Sequence, residues 1–160
     1  TFQGIQNLKD FDVNVITNTV LTTINYLDVI PLMTALAQEG VSELHLWDFL
    51  PMEQTDTRDL LVSVRDIRAL FSSLFPKINV PAKPLVLKNF PECICRGDNV
   101  VLDNGFPLTF IGETYWKAFG ENQFGQCYHW NNCRTQKCWG LTIAHVKKYG
   151  DERELLSPID

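Results

Sequence analysis

The stretch DVNVITNTVLTTINYLDVIPLMTALAQEGVSELHLWDF, Asp12 to Phe49, decides the fold. Residues 12 to 21 alternate in a β-rich composition. Val13, Val15, Thr17 and Thr19 fall on one side, and Asn14, Ile16, Asn18 and Val20 on the other. Val29, Leu32, Met33 and Leu36 then recur at helical spacing, with Gly40 placed to end the helix. Pro31 is tolerated if Asp28 is the N-cap, because the first helical turn has no use for its missing N–H. Val41 to Phe49 reads as a second strand. Working outward, LPMEQTD reads as a loop and Leu60, Val64, Ile67, Phe71 and Leu74 mark one buried helical stripe. Thr57 is its candidate N-cap and Pro76 its end. A third strand is expected around Leu85 to Leu87. Strand, helix, strand, helix, strand implies parallel pairing with helices packed outside. Three strands are few, which points to half of a larger barrel or open sheet.

The 160 residues are 45% hydrophobic and 21% charged, ordinary for a globular chain able to bury a core. The net charge of -5 argues against a nucleic-acid surface. No apolar run reaches the roughly 20 residues of a membrane span, and no secretory leader is visible. The opening TFQGIQNLKDF reads as the middle of a longer chain.

After residue 92 the style changes. Val100 to Leu102 and Leu108 to Phe110 read as a β-hairpin across Asp103, Asn104 and Gly105. TYWKAFGENQFGQCYHWNNC has little periodicity, and LTIAHVKKYGDE reads as a short closing helix before Gly150. The expected organisation is therefore residues 1–92 as the partial barrel and 93–160 as a small Cys-rich, irregular extension.

All five cysteines lie in that extension: Cys93, Cys95, Cys127, Cys133 and Cys138. An odd count in a chain this long does not fit a secreted disulfide framework. Reduced, metal-binding thiols in a cytoplasmic protein fit better. Four thiolates suit tetrahedral zinc or an iron–sulfur cluster. The wide spacing of the last three favours a cluster over zinc knuckles. Plain buried cysteines are the third reading. Cys93 or Cys95 supplies the fourth ligand, both pointing to one site if the segment stays extended. His129 and His145 could also ligate, though a lone histidine beside cysteines is more often an ordinary one.

In order along the chain, several segments resemble the C-terminal half of a radical SAM enzyme. The branch is the one with a SPASM- or twitch-like extension. TFQGIQNLKDFDVNVITNTVLTTIN is similar to its fourth barrel strand and the helix end before it. LAQEGVSELHLWDFLPM is similar to the fifth, and LVLKNFPECI to the sixth running out to a cysteine. CRTQKCWGLTIAHVKKYGDERELLSPI resembles the closing C.....C.G....Y....G..E..PI. The defining CxxxCxxC loop is missing and would lie upstream of Thr1. No cysteine follows Gly112, unlike in a full SPASM domain, so one auxiliary 4Fe-4S cluster is the most that five cysteines support. The resemblance implies Cys93, Cys127, Cys133 and Cys138 as its ligands, with Cys95 as the spare. It implies that Asn18 reaches S-adenosyl-L-methionine and that Asp48 lines the same cavity. The plainer readings are a hydrogen-bonded barrel asparagine and a loop-capping carboxylate. It also implies 5'-deoxyadenosyl radical chemistry on a peptide or small molecule, with a reductant protein as partner. The competing function is a non-catalytic zinc module for partner binding, and a third is a disulfide-bearing domain without metal.

Overall fold

The computed structural model describes residues 1–52, 54–55, 58–78, 84–105, 112–135 and 137–160. Four strands form one wholly parallel sheet in the order of the chain: β1 (Ile16–Leu21), β2 (Glu43–Asp48), β3 (Leu85–Lys88) and β4 (Val100–Leu102). Helices α1 (Phe2–Lys9), α2 (Val29–Gln38) and α3 (Val64–Ile78) belong to this part, and α4 (Glu113–Gly120) and α5 (Ile143–Tyr149) follow it.

The expected alternation sets the architecture. Thr17, Leu44, Leu85 and Val100 align across the sheet, as do Thr19, Leu46, Leu87 and Leu102. Those two rows face α2 and α3, which bring Val29, Met33 and Leu36, and Ile67, Phe71 and Leu74, into one core. Each fully buried aliphatic contributes about 1.5–3 kcal/mol. Asp28 is the residue before α2, Pro31 sits in its first turn, and Gly40 follows its end at φ +77°, as the sequence implies.

The other rows face away: Asn18, His45, Val86 and Val101, then Val20, Trp47 and Lys88. Ile16, Val20 and Val101 are exposed there. Parallel sheets are ordinarily covered on both faces. On this face β3 is covered, with Val86 and Lys88 buried, while β1 and the outer edge at Val101 are exposed.

Three expectations change. Val100–Leu102 forms a fourth parallel strand beside β3, a pairing the sequence did not suggest. The turn is real, since Asp103 Oδ1 accepts from Gly105 N at 2.8 Å. The supposed partner 108–110 lies outside the described residues. The long helix starts at Val64, not near Thr57, which also lies outside them. Ser63 Oγ accepts from Asp66 N at 3.1 Å and donates to the Asp66 carboxylate at 2.8 Å, a reciprocal cap. Pro76 lies inside α3 rather than beyond it. It falls in the last turn, where burial of Ile78 offsets the lost hydrogen bond.

Helix α4 was not expected. None of its residues is buried in a core. Its aromatic residues pack on each other instead, Phe119 lying 5.0 Å from Phe124 and 5.2 Å from Trp139, centroid to centroid.

Candidate metal centre

Beyond β3 the chain does not stay extended. Pro91 leads into a 3-10 turn, Glu92–Ile94, closed by Cys95 N donating to Glu92 O at 3.0 Å. The turn separates the two neighbouring cysteines. Cys95 is buried in the main core and donates its thiol to Pro91 O at 3.2 Å. Cys93 is half-buried and packs instead against Val64, Leu141 and Leu156, beside Cys127.

Residues 122–141 are ordered by backbone pairing rather than by a large core. Gly125 N donates to Trp139 O at 2.8 Å and Gln126 N to Leu141 O at 3.1 Å. Gly140 sits at φ +73°, and a Cβ there would lie 3.1 Å from both Gly125 Cα and the Trp130 ring. Only glycine fits at this crossing. A second 3-10 turn, Trp130–Asn132, joins Cys127 to Cys133. Thr135 Oγ1 donates to the Glu92 carboxylate and accepts from Lys137 N and Cys138 N, each at 3.2 Å. That bracket holds Cys138 beside the first turn.

Two of the five sulfurs accept backbone N–H groups in hydrogen bonds. Cys138 Sγ accepts from Gly140 N at 3.2 Å and Glu92 N at 3.4 Å. Cys133 Sγ accepts from Ile159 N at 3.3 Å. The N–H dipoles of Ser157 and His129 favour the thiolates of Cys93 and Cys127 without a full hydrogen bond. Burial pushes the Cys93, Cys127 and Cys138 thiols up, and these N–H groups partly oppose it. Neighbouring thiols push them up further: Cys133 acts on Cys93, Cys93 and Cys133 on Cys127, and Cys93 and Cys127 on Cys138. Four sulfurs thus share one region where extra negative charge is costly and N–H dipoles already point at it. A cationic centre is what such a donor set accommodates. Among the described residues no three His, Cys, Asp or Glu side chains converge as ligands of a single ion. All five cysteines are free thiols, with no disulfide between them.

The histidines are engaged elsewhere. His145 Nε2 lies 2.9 Å from Glu152 Oε2, and His129 Nε2 lies 3.4 Å from Arg153 O. Asn18 lies mid-strand on the partly covered face of the sheet, exposed. Asp48 ends β2, and its Oδ1 accepts from Phe49 N at 3.0 Å, the loop-capping bond of the plainer reading. As a residue it is half-buried, but protein encloses its carboxyl group, which burial pushes up to about 8 despite that N–H. It lines a small cavity with Asn89, Leu141 and His145, beneath the Cys-rich segment.

One residue that sequence reasoning missed joins the two parts. Glu152 accepts from Val64 N at 2.8 Å and Arg65 N at 3.3 Å, so its carboxylate caps α3 from 87 to 88 positions away. Burial raises its pKa, but His145 and the two N–H groups outweigh that and leave it below the ordinary carboxylate range. The one signal available was Ser63-x-x-Asp66, which marks where α3 starts.

No protein-family model, curated protein sequence or solved structure matches the chain. None of the helices among the described residues is long and apolar enough to cross a membrane.

Proposed function

We propose that the chain is the C-terminal part of a radical SAM enzyme carrying one auxiliary 4Fe-4S cluster, held by Cys93, Cys127, Cys133 and Cys138. The observation that carries this reading is the division among the sulfurs. Cys133 and Cys138 accept backbone N–H groups, Cys93 and Cys127 lie close enough to them to raise one another's pKa, and Cys95 is buried in the main core as a thiol donor. N–H groups directed at thiolate sulfur stabilise the charge that a cluster brings and tune its potential. No three such side chains converge on one ion among the described residues, so the choice of a cluster over zinc rests on the wide spacing of Cys127, Cys133 and Cys138.

The in-order parallel sheet supports the barrel part of the reading. Its partly covered face would be an interior wall, with Asn18 exposed on it and Asp48 at a strand's C-terminal end, where α/β folds gather their ligands. S-adenosyl-L-methionine, when bound, would supply the radical for hydrogen abstraction from a peptide or small molecule, with the electron coming from a reductant protein. This chain's residues would orient the ligand and exclude water. The zinc-bound, non-catalytic interaction module is the second reading, since the same four thiolates suit zinc by donor type.

Anaerobic purification followed by iron, sulfide and zinc analysis tests the proposal. About four irons per chain are expected. Cys93→Ala, Cys127→Ala, Cys133→Ala and Cys138→Ala each lose them, and Cys95→Ala keeps them. Stoichiometric zinc in a colourless sample overturns the cluster. Iron retained in Cys93→Ala but lost in Cys95→Ala overturns the ligand assignment.

A further inference from the structure

The outer side of Cys93 opens into a groove of about 450 Å³, between α3 and the segments 93–96 and 154–157. Its volume falls in the range of small-molecule sites. On the α3 wall, Arg68, Ser72 and Phe75 follow one another at helical spacing. Arg68 Nη1 donates to Leu155 O at 2.7 Å, which holds the guanidinium along the groove. Arg96 stands on the opposite wall, its charge near enough to favour the Cys93 thiolate. Glu154 is the single acid in the lining, while Phe71, Phe75 and Leu156 supply apolar surface. The chain carries a net charge of -5, so two arginines flanking one groove run against its overall balance.

We propose that this groove binds a small organic anion, a carboxylate or phosphate on an apolar body, seated between Arg68 and Arg96 and against Cys93. Guanidinium groups suit planar and tetrahedral oxyanions, because their N–H donors form a fixed fork. The apolar wall takes the body of the molecule, and Cys93 is part of the lining. The site stands independently of what metal the cysteines hold. If the cluster reading is right, the anion sits at the cluster's edge.

Calorimetric titration of the protein as purified anaerobically tests this, with benzoate and phenyl phosphate as probes and benzyl alcohol as the neutral control. Saturable binding of benzoate or phenyl phosphate is expected, with benzyl alcohol weaker. Arg96→Gln should weaken the anions by about threefold or more, the scale of one exposed charge pair. Arg68→Gln should do the same, and raised salt should reduce binding. Arg96 is exposed and makes no hydrogen bond among the described residues, so its variant keeps the test open if Arg68→Gln is unstable. Absence of anion binding, equal affinity for benzyl alcohol, or unchanged affinity in Arg96→Gln overturns the proposal. Iron content is measured on the same samples. Anion binding without iron sinks the cluster reading alone, and iron without anion binding sinks this one alone.

Discussion

Replacing Glu152 with Gln removes a buried charge that ties the Cys-rich segment to the start of α3. The wild-type carboxylate accepts three hydrogen bonds, from Val64 N at 2.8 Å, Arg65 N at 3.3 Å and His145 Nε2 at 2.9 Å. Its side chain is 10% exposed, so water replaces few of them. A hydrogen bond to a charged group contributes about 1.5–3 kcal/mol, and an anion at a helix N-terminus about 0.3–1 kcal/mol. Gln keeps one acceptor oxygen of two and no charge. A loss of about 2–4 kcal/mol at pH 7 follows, or roughly 4–16 °C in Tm for a chain of this size. Because Glu152 titrates below the ordinary carboxylate range when folded, its stabilisation is full above the unfolded value near 4.3. It is lost as pH falls through the lower folded value. Urea unfolding at pH 7 and pH 3 should therefore show a gap between the two proteins that closes in acid. Equal stability at pH 7, or a gap that persists unchanged in acid, refutes the latch.

Asp48 has the opposite sign. Its pKa is raised to about 8, so the folded state keeps a proton that the unfolded state gives up near pH 4, and stability falls as pH rises between those values. Asp48→Asn keeps the acceptor for Phe49 N and should be more stable than wild type at pH 7 by up to about 4 kcal/mol, but equal at pH 4. Thermal melts at both pH values check it. Gly140→Ala forces a left-handed residue against Gly125 and Trp130 and should cost about 2 kcal/mol or more. Trp fluorescence should then report loosening around Trp130, and an unchanged melting temperature would contradict the close crossing.

How far the sequence could be read follows from the range of the forces involved. The strand–helix–strand unit from residue 16 to residue 48 was legible because its signals are local. The alternation, Asp28, Pro31 and Gly40 all act within a few residues of the backbone they shape. The parallel place of β4 was missed for the complementary reason. Its DNG turn is real, but pairing with β3 is set by what lies alongside, which local sequence does not carry. Helix α4 escaped because its aromatic residues bury against Phe124 and Trp139, not along a periodic core stripe. The cysteines could be picked out as a group by their crowding. What separates Cys93 from Cys95 is the 3-10 turn after Pro91, a feature of only three residues.

The N–H donors to the sulfurs come largely from segments other than the cysteines' own. Glu92 serves Cys138 and Ile159 serves Cys133. The apolar cluster beneath them is small, with Val64, Leu141 and Leu156 buried among the described residues. Besides the backbone pairing, the sulfurs of Cys133 and Cys138 act as hubs that join separate stretches of chain. A centre that bonds the four thiolates would close these hubs at once, so its binding energy becomes folding energy for the extension. Glu152 transmits that gain to the sheet, because the carboxylate held by His145 also caps α3. If the proposed centre is present, its loss should loosen the extension and the N-terminal turn of α3 together. The core around Leu46 and Leu87, a separate apolar cluster from that beneath Cys93 and Cys127, should keep its protection.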